Sequence, residues 1–410
     1  MACCRLRIGV FFDGTGNSKE NKDEYSNIAY LHEAYRTIKE EEVGKKLTTS
    51  HKIYVDGVGT REDEGVGEKA SGGGGAKRIY ETIESVCKIL DKYPITKNPK
   101  KKINYAKREI DIFGFSRGAA LARDFVNTFF EDIGSKKNYQ DVRFNFIGIY
   151  DTVGSFGKAG NDVDMKPKEE YVNEVSESDR WLLLDDHDDE KEFEAYNFHL
   201  SAQSAKKIVH IKAAHELRHN FPLFSAKGAG QEISCIGVHS DVGGGYGSRD
   251  TETLKMSVLL SDFDKRTALE RKGWRYHARR TDRIYGTYEK KREVSNDLQS
   301  VSLHLMYEMA IKSGVLLEKP QREIPSDLLE YYEYALQNIT KIEHYDGANK
   351  LLEEYAHQSA THPLTTTLTF PLRAREDFGE LAGVNSVNIK NRQIAREIYS
   401  NITKKAIVAS

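Results

Sequence analysis

The chain is poor in cysteine and has no long hydrophobic run. Its 410 residues contain four cysteines, and none of them forms a C-x-x-C pair or a Cys/His spacing typical of zinc sites. A disulfide framework is therefore not expected, which suits folding in a reducing cytoplasm. No stretch approaches the length of a membrane-spanning helix. The apolar run Ile8–Phe12 is short and ends at Asp13, so it predicts a first strand rather than a secretory signal.

A surplus of charge of either sign is also missing. Lysine and arginine number 61 and aspartate and glutamate 63, which gives a formal net charge of -2. Because no overall field attracts polyanions, we expect no nucleic-acid partner. Hydrophobic residues make up 39% and charged residues 30% of the chain, a balance typical of a globular protein with a substantial core. The length allows one large domain with insertions or two domains.

Short β-rich runs alternate with helical patterns such as Lys77–Lys92 and Ala119–Phe130. This alternation predicts a mostly parallel sheet that is covered by helices on both faces. After Gly247 the pattern changes, and apolar residues at helical spacing, as in Leu298–Leu317, predict mainly helices for the last third. The predicted strands are Leu6–Phe12, Lys52–Val58, Glu109–Phe115, Phe144–Tyr150, Lys207–Ala213 and Glu232–Val238.

Two segments interrupt this alternation. The glycine run Ser71–Gly75 precedes a helix and lacks the G-K-[ST] ending of a phosphate loop, so it predicts a hinge or the base of a lid, although a helix N-terminus can also receive an anion. Gly157–His199 is a long insertion whose acidic run, Asp185–Glu190, lacks EF-hand spacing and indicates a solvated loop. We expect a catalytic domain over residues 1–315 with a lid-like insertion at about 157–205, and a mainly helical extension over 316–410.

The most informative motif is G-x-S-x-G at Gly114–Gly118. An apolar run, Ile110–Phe113, precedes it and the helical pattern Ala119–Phe130 follows it. Strand, G-x-S-x-G and helix in this order are typical of the nucleophile elbow of α/β-hydrolases, in which a strained turn exposes the serine hydroxyl. The sequence therefore predicts Ser116 as a nucleophile, and the alternative is a structural turn with an incidental serine.

A serine nucleophile needs a base and an acid that orients the base. Asp151 ends the strand Phe144–Tyr150, and His239 follows the strand Glu232–Val238 and precedes a glycine-rich loop. Both positions lie at strand ends, where ligands bind in open α/β sheets, and they follow Ser116 in the order expected for an α/β-hydrolase. Asp151 as a turn cap is the alternative interpretation. The rival candidates are His210, His215 and His219 for the base and Asp241 for the acid.

An oxyanion that forms during acyl transfer needs preorganised donors. The backbone N–H of Arg117, directly after the nucleophile, is the first candidate. The second is expected from the loop Asp13–Asn17, in which the amide of Gly14 or Thr15 can donate. Asp-Gly-Thr after a first strand also resembles haloacid-dehalogenase-type phosphatases, but the aspartate nucleophile of that scheme is replaced by Phe11. The chemistry requires no metal and no cofactor.

Five segments of the chain carry a shared pattern: Phe11–Asn17, Tyr54–Thr60, Gly114–Ala119, Tyr150–Gly157 and Gly237–Tyr246. Each segment is weak alone, but all five together resemble one family, the catalytic domain of the class-one type VI secretion lipase effectors (Tle). They occur in the family's order and span roughly residues 5–314. A sixth stretch, Ala214–Arg218 with Phe221, is also similar to the family.

This resemblance implies an α/β-hydrolase core that cleaves acyl esters of membrane phospholipids, with Ser116 as nucleophile, Asp151 as acid and His239 as base. It also implies a bacterial antibacterial toxin, made in the cytoplasm without a signal peptide and delivered by a type VI secretion system into the periplasm of a target cell. The expected partners are the phospholipid substrate, a component of the secretion spike and an immunity protein. Two alternatives remain open, which are a soluble esterase of another substrate class and a secretion-associated binding module without activity.

Overall fold

The computed structural model describes residues 2–43, 46–61, 74–95, 103–136, 138–154, 196–216, 218, 221–259, 261, 263–271, 273, 275–277, 285–357, 389–390, 393–394 and 398–399. The acidic run Asp185–Glu190, most of the predicted insertion and much of the predicted C-terminal extension lie outside these ranges. Among the described residues, no helix is both long and apolar enough to cross a lipid bilayer.

A seven-stranded sheet forms the centre of the fold. In chain order the described strands are β1 (Ala2–Phe12), β2 (Ile38–Val43), β3 (Lys46–Val55), β4 (Ile103–Phe115), β5 (Arg143–Tyr150), β6 (Lys207–Ala213), β7 (Leu223–Phe224), β8 (Gln231–Cys235), β9 (Arg249–Leu259), β10 (Arg275–His277), β11 (Tyr285–Ser295), β12 (Ile389–Lys390), β13 (Gln393–Ile394) and β14 (Ile398–Tyr399). The strand order of the central sheet is β2-β3-β1-β4-β5-β6-β8, and every pair is parallel except β2 with β3. This confirms the predicted mostly parallel sheet.

Helices cover both faces of this sheet. The central strands are nearly continuous apolar runs because both of their faces are buried; in β5 every residue after Arg143 is buried. The helices are α1 (Asn27–Ala34), α2 (Gly75–Lys92), α3 (Arg117–Thr128), α4 (His239–Gly243), α5 (Phe263–Arg271), α6 (Gln299–Lys312), α7 (Leu329–Gln337) and α8 (Ala348–Glu354).

The buried side chains divide into two clusters, one for each face of the sheet. One cluster contains residues of α2 and α3, and α2 shows why, since Ile79, Ile83, Val86 and Leu90 recur at helical spacing and form one apolar stripe. The other cluster contains residues of α1, α6, α7 and α8. The two C-terminal helices therefore share a core with the sheet, while the proposed domain division after residue 315 stays a proposal.

The last third of the chain is less helical than the sequence pattern indicates. β9, β10 and β11 form a separate antiparallel sheet in the order β10-β11-β9, so the expectation of mainly helices directly after Gly247 is wrong for this segment. β11 carries five charged residues between Tyr288 and Val294, whereas those two side chains are buried. A polar hairpin of this kind lacks the apolar runs on which the strand predictions rest.

A buried ion cluster fastens the sheet to the end of α6. Arg7 on β1 contacts Glu109 at 2.8 Å and Asp111 at 3.1 Å on β4, and it donates a hydrogen bond to the carbonyl of Gly314. Burial alone would raise the pKa of Glu109. The charge of Arg7 is the largest effect that lowers it, and the pKa falls to about 2. Because each buried charge has a partner, the cluster avoids the cost of an isolated ion.

The turn from β4 to α3 depends on two glycines. A β-carbon at Gly118 would lie 2.2 Å from the carbonyl oxygen of Asp13, and one at Gly114 would lie 2.7 Å from the Cα of Ala119. Since backbone atoms cannot move aside cheaply, both positions exclude larger residues. The close approach brings the start of α3 against the end of β1.

We predict that Gly118→Ala lowers the free energy of unfolding by about 1–3 kcal/mol, because the added methyl group overpacks this junction. Without the clash, alanine would stabilise a helix by up to about 1 kcal/mol relative to glycine, so the sign of the change is diagnostic. Urea unfolding measures it. The matched control is Gly247→Ala, where the nearest atom to a β-carbon is the Asp250 carboxylate at 3.6 Å. Equal stability of the two variants would contradict the prediction.

Candidate functional site

Ser116 occupies a strained turn between β4 and α3. Its backbone angles are φ 58° and ψ -128°, and within the described ranges the other non-glycine residue at positive φ is Asp151, at 37°. Such conformations cost on the order of 1–3 kcal/mol and cluster at functional sites. The turn is held by β5 and the segment after it, since the Ser116 amide donates to the carbonyl of Tyr150 and the Ser116 carbonyl accepts from Val153.

Asp151 follows β5 directly and is fully buried. Its amide donates to the carbonyl of Ile211 at 2.7 Å, which holds the turn against β6. Carboxylate Oδ1 accepts a hydrogen bond from the amide of Ala213 at 2.9 Å. Carboxylate Oδ2 lies 2.7 Å from Nδ1 of His239. Both oxygens are therefore engaged, and one of them binds the histidine that the sequence predicts as the base.

His239 begins α4 and is almost fully buried. Its ring lies between Phe115, with ring centroids 4.6 Å apart, and Phe221, at 4.8 Å and 83°. Its amide donates to a carboxylate oxygen of Glu216 at 3.2 Å. Burial lowers the pKa of His239 below its ordinary value, and the contact with Asp151 offsets part of that effect. The imidazole is thus neutral near neutral pH, with Nδ1–H donated to Asp151 and Nε2 able to accept a proton.

The rival histidines have other partners. Nε2 of His210 lies 3.2 Å from the amide of Thr152, and its Nδ1 lies 3.3 Å from Glu232. Nδ1 of His215 accepts a hydrogen bond from the amide of Gly237 at 3.3 Å. Burial is the first cause that lowers the pKa of both. His210 thus lies within β6 with both ring nitrogens in contact with neighbouring groups, His215 contacts the backbone before His239, and His219 lies outside the described residues.

Asp241, the alternative acid, binds a different histidine. Its carboxylate accepts hydrogen bonds from the amide of Val238 at 2.9 Å and from Nδ1 of His357 at 2.6 Å. Sequence reasoning did not single out His357, because it lies 116 residues from Asp241 and carries no motif. Glu216 and Phe221 lie beside His239. Both belong to the family-like stretch Ala214–Arg218 with Phe221, so the sequence singled out this stretch but indicated no role for either residue.

The loop Asp13–Asn17 lies beside the elbow and is organised by Asp13. Burial raises the pKa of Asp13, although four hydrogen bonds oppose the shift. Gly14 donates its amide to Asp13 Oδ1 at 2.7 Å, so this amide is already engaged. The amide of Thr15 has no hydrogen-bond partner within the described part of the chain. Thr15 Oγ1 accepts a hydrogen bond from Nε of Arg117 at 2.6 Å, which fixes the loop to the residue after Ser116.

Tyr54 and Ser26 complete the support of this loop. The hydroxyl of Ser26 donates to Asp13 Oδ2 at 2.6 Å, and the hydroxyl of Tyr54 donates to the same oxygen. A β-carbon at Gly57 would lie 1.7 Å from the carbonyl oxygen of Gly14, so only glycine allows the two loops to meet. Burial lowers the pKa of Arg117 to about 10, which still leaves the guanidinium charged at neutral pH. The described residues contain no cluster of three or more His, Cys, Asp or Glu side chains suited to a metal ion.

The chain is similar to known proteins in its family and in its fold. A family model described as "T6SS, Phospholipase effector Tle1-like, catalytic domain" matches residues 7–140 and 127–263, together more than half of the chain. A solved structure described as "Structure of the Tle1 effector bound to the VgrG spike from the Type 6 secretion system" is similar with a TM-score of 0.63 and 22% identity, over 97% of this chain and 94% of that chain. Another, described as "Crystal structure of an uncharacterized protein from Pseudomonas aeruginosa", has a TM-score of 0.47 and 19% identity, over 82% of this chain and 50% of that one. No curated protein sequence matches the chain.

The lowered pKa of His239 predicts the pH dependence of ester hydrolysis. With the neutral imidazole as the predicted base, kcat/KM is expected to be constant near neutral pH and to fall only when the free enzyme binds a proton. The midpoint of that fall is expected below the ordinary imidazole value of about 6.5. Rates on a short-chain ester between acidic and neutral pH measure it. A midpoint at or above the ordinary value would contradict the burial of His239.

Proposed function

Because the chain belongs to the Tle1-like family of phospholipase effectors of the type VI secretion system, we propose that Ser116, His239 and Asp151 hydrolyse a carboxylic ester of a membrane phospholipid. The reaction is of the phospholipase A1 or A2 type, in which a fatty acid is released and a lysophospholipid remains. The observation that carries this assignment is the 2.7 Å contact between His239 and Asp151, two buried residues 88 positions apart. A neutral base held by a buried carboxylate is what an unactivated serine hydroxyl requires.

Acylation is the first half of the proposed reaction. Oγ of Ser116 attacks the ester carbonyl carbon while its proton passes to Nε2 of His239. The imidazolium that forms is stabilised by the carboxylate of Asp151 through Nδ1. When the tetrahedral intermediate collapses, the bond to the lysophospholipid oxygen breaks, and His239 returns the proton to that oxygen. The acyl chain is then bound to Ser116 as an ester.

Deacylation uses the same groups with water as the nucleophile. His239 takes a proton from the water as it attacks the acyl-enzyme carbonyl carbon, and it then returns a proton to Ser116 as the fatty acid departs. The cycle consumes one water molecule and leaves the side chains unchanged. The chemistry requires no electron transfer.

We assign the oxyanion donors to the amides of Arg117 and Thr15. Arg117 begins α3 directly after Ser116, and the amide of the residue after the nucleophile is the position that supplies an oxyanion donor in a nucleophile elbow. Among the two candidates of the opposite loop, the engaged amide of Gly14 favours Thr15. Its link to the Arg117 side chain holds the two donors in one unit. Removal of a single oxyanion donor typically costs about 10²–10³-fold in kcat.

We also propose that the chain reaches its substrate by type VI secretion. The solved Tle1 effector is described as bound to the VgrG spike, and the shared fold supports a spike component as a partner here. The family relationship further supports transfer into the periplasm of a target cell and an immunity protein in the producer. Co-purification of the full chain with a VgrG-type spike protein is the expected outcome, and the absence of any stable complex would contradict this partner.

We predict that the purified chain converts phospholipid vesicles into lysophospholipid and free fatty acid, and that Ser116→Ala abolishes both products while the fold is retained. Lipid mass spectrometry with isotope-labelled acyl chains identifies the position that is cleaved. The matched control is Ser240→Ala, which replaces a serine beside His239 whose hydroxyl has no hydrogen bond within the described chain. Full activity of Ser116→Ala would contradict the assignment of Ser116 as the nucleophile. Turnover of short-chain esters but not of phospholipid would favour a soluble esterase.

A further inference from the structure

The loop that carries His239 is tied to a second histidine from the C-terminal part of the chain. Asp241 lies two residues after His239 and is 2% exposed. Its Oδ1 lies 2.6 Å from Nδ1 of His357, and its Oδ2 accepts the backbone amide of His357 at 3.0 Å. A charge-assisted pair of this kind is stronger and more directional than a neutral hydrogen bond. The residues directly after α8, which include His357, are thus fixed to the turn of the proposed base.

The same carboxylate holds the residue before His239. Oδ2 of Asp241 accepts the amide of Val238 at 2.9 Å. Gly237 has φ 119°, and a β-carbon there would lie 2.6 Å from Cβ of Asp241. A residue with a side chain at position 237 would therefore clash with Asp241. The amide of His239 itself is held by Glu216. Glu216 therefore holds the backbone amide of His239, and Asp241 holds the amide of the residue before it.

The side chain of His357 is buried and held in one orientation. It is 4% exposed, and its ring stacks on Tyr246, with centroids 3.9 Å apart and planes at 24°. Its Nε2 is buried without a hydrogen-bond partner in the described chain, and the nearest carboxylate, of Asp250, is 3.8 Å away. Within the described residues, its hydrogen bonds are made by Nδ1 and by the backbone amide. None of its described contacts is with Ser116 or His239, and its hydrogen bonds to Asp241 are the contacts that reach the turn of His239.

We propose that His357 is a positioning residue, which fixes Asp241 and thereby the turn Val238–Asp241, so that the ring of His239 stays against Asp151. This inference rests on the proposed function, because it concerns the same base. A displacement of about 1 Å in a reacting group can cost on the order of 10²-fold in rate even when the altered residue does not touch substrate. The effect is expected in kcat rather than KM, since the side chain of His357 is buried and acts on the turn of the proposed base.

Two variants of His357 separate the effect of its Nδ1 hydrogen bond from the effect of the rest of the side chain. Asparagine places an amide nitrogen close to the position of histidine Nδ1, whereas glutamine places it close to that of Nε2. We expect His357→Gln and His357→Leu to lower kcat on phospholipid vesicles by on the order of 10²-fold at little changed KM, and His357→Asn to recover most of that loss. The full-length wild type, assayed in the same series, reports separately on the proposed function.

The outcomes are distinct. Without phospholipid hydrolysis by the wild type, the proposed function fails. With an active wild type, unchanged kcat in His357→Leu, equal kcat in the asparagine and glutamine variants, or a rise in KM alone would each overturn the positioning role. Thermal unfolding of each variant controls for folding, and if the leucine variant does not fold, the asparagine and glutamine pair decides. Failure of all three to fold would assign His357 to stability alone and also contradict the proposal.

Discussion

The proposed chemistry depends on the backbone of Ser116 being held at a positive φ that serine ordinarily avoids. The cost is offset by neighbours, because β5 and the segment after it bind both the amide and the carbonyl of Ser116, and the absence of a side chain at Gly118 lets α3 begin directly against β1. Asp151, which is itself at positive φ, ends the adjacent strand. Two strained turns on neighbouring parallel strands thus bring Ser116 and Asp151, the proposed nucleophile and acid, to the same edge of the sheet.

The proposed base is oriented by contacts at several points of its residue. Asp151 binds Nδ1, two phenylalanine rings enclose the imidazole, and Glu216 holds its amide. Burial favours the neutral ring and the carboxylate favours the protonated one. The balance gives a base that is free of its proton near neutral pH and able to hold one transiently, which is the behaviour that general-base catalysis needs.

Much of the fold was predictable from the sequence because the central strands are apolar on both faces. Strand β6 was predicted with the bounds observed, and the elbow motif indicated the turn at Ser116. The antiparallel sheet of β9, β10 and β11 was not predictable from apolar runs, since its strands are rich in charge. The link between Asp241 and His357 joins residues 116 positions apart, and no local pattern encodes such a contact. Gly14 and Thr15 were equivalent in sequence and became distinct only through the hydrogen bonds of the folded loop.

The central claim is that Ser116 is a nucleophile activated by His239 and Asp151. The most direct measurement is the reaction of the purified chain with a fluorophosphonate, followed by peptide mass spectrometry and repeated with Asp151→Asn. The account predicts a single adduct on the peptide that contains Ser116, and a labelling rate that falls by on the order of 10⁴-fold in the variant, as for a triad whose histidine has lost its orienting carboxylate. An adduct on another residue, or equal labelling of wild type and variant, would contradict it.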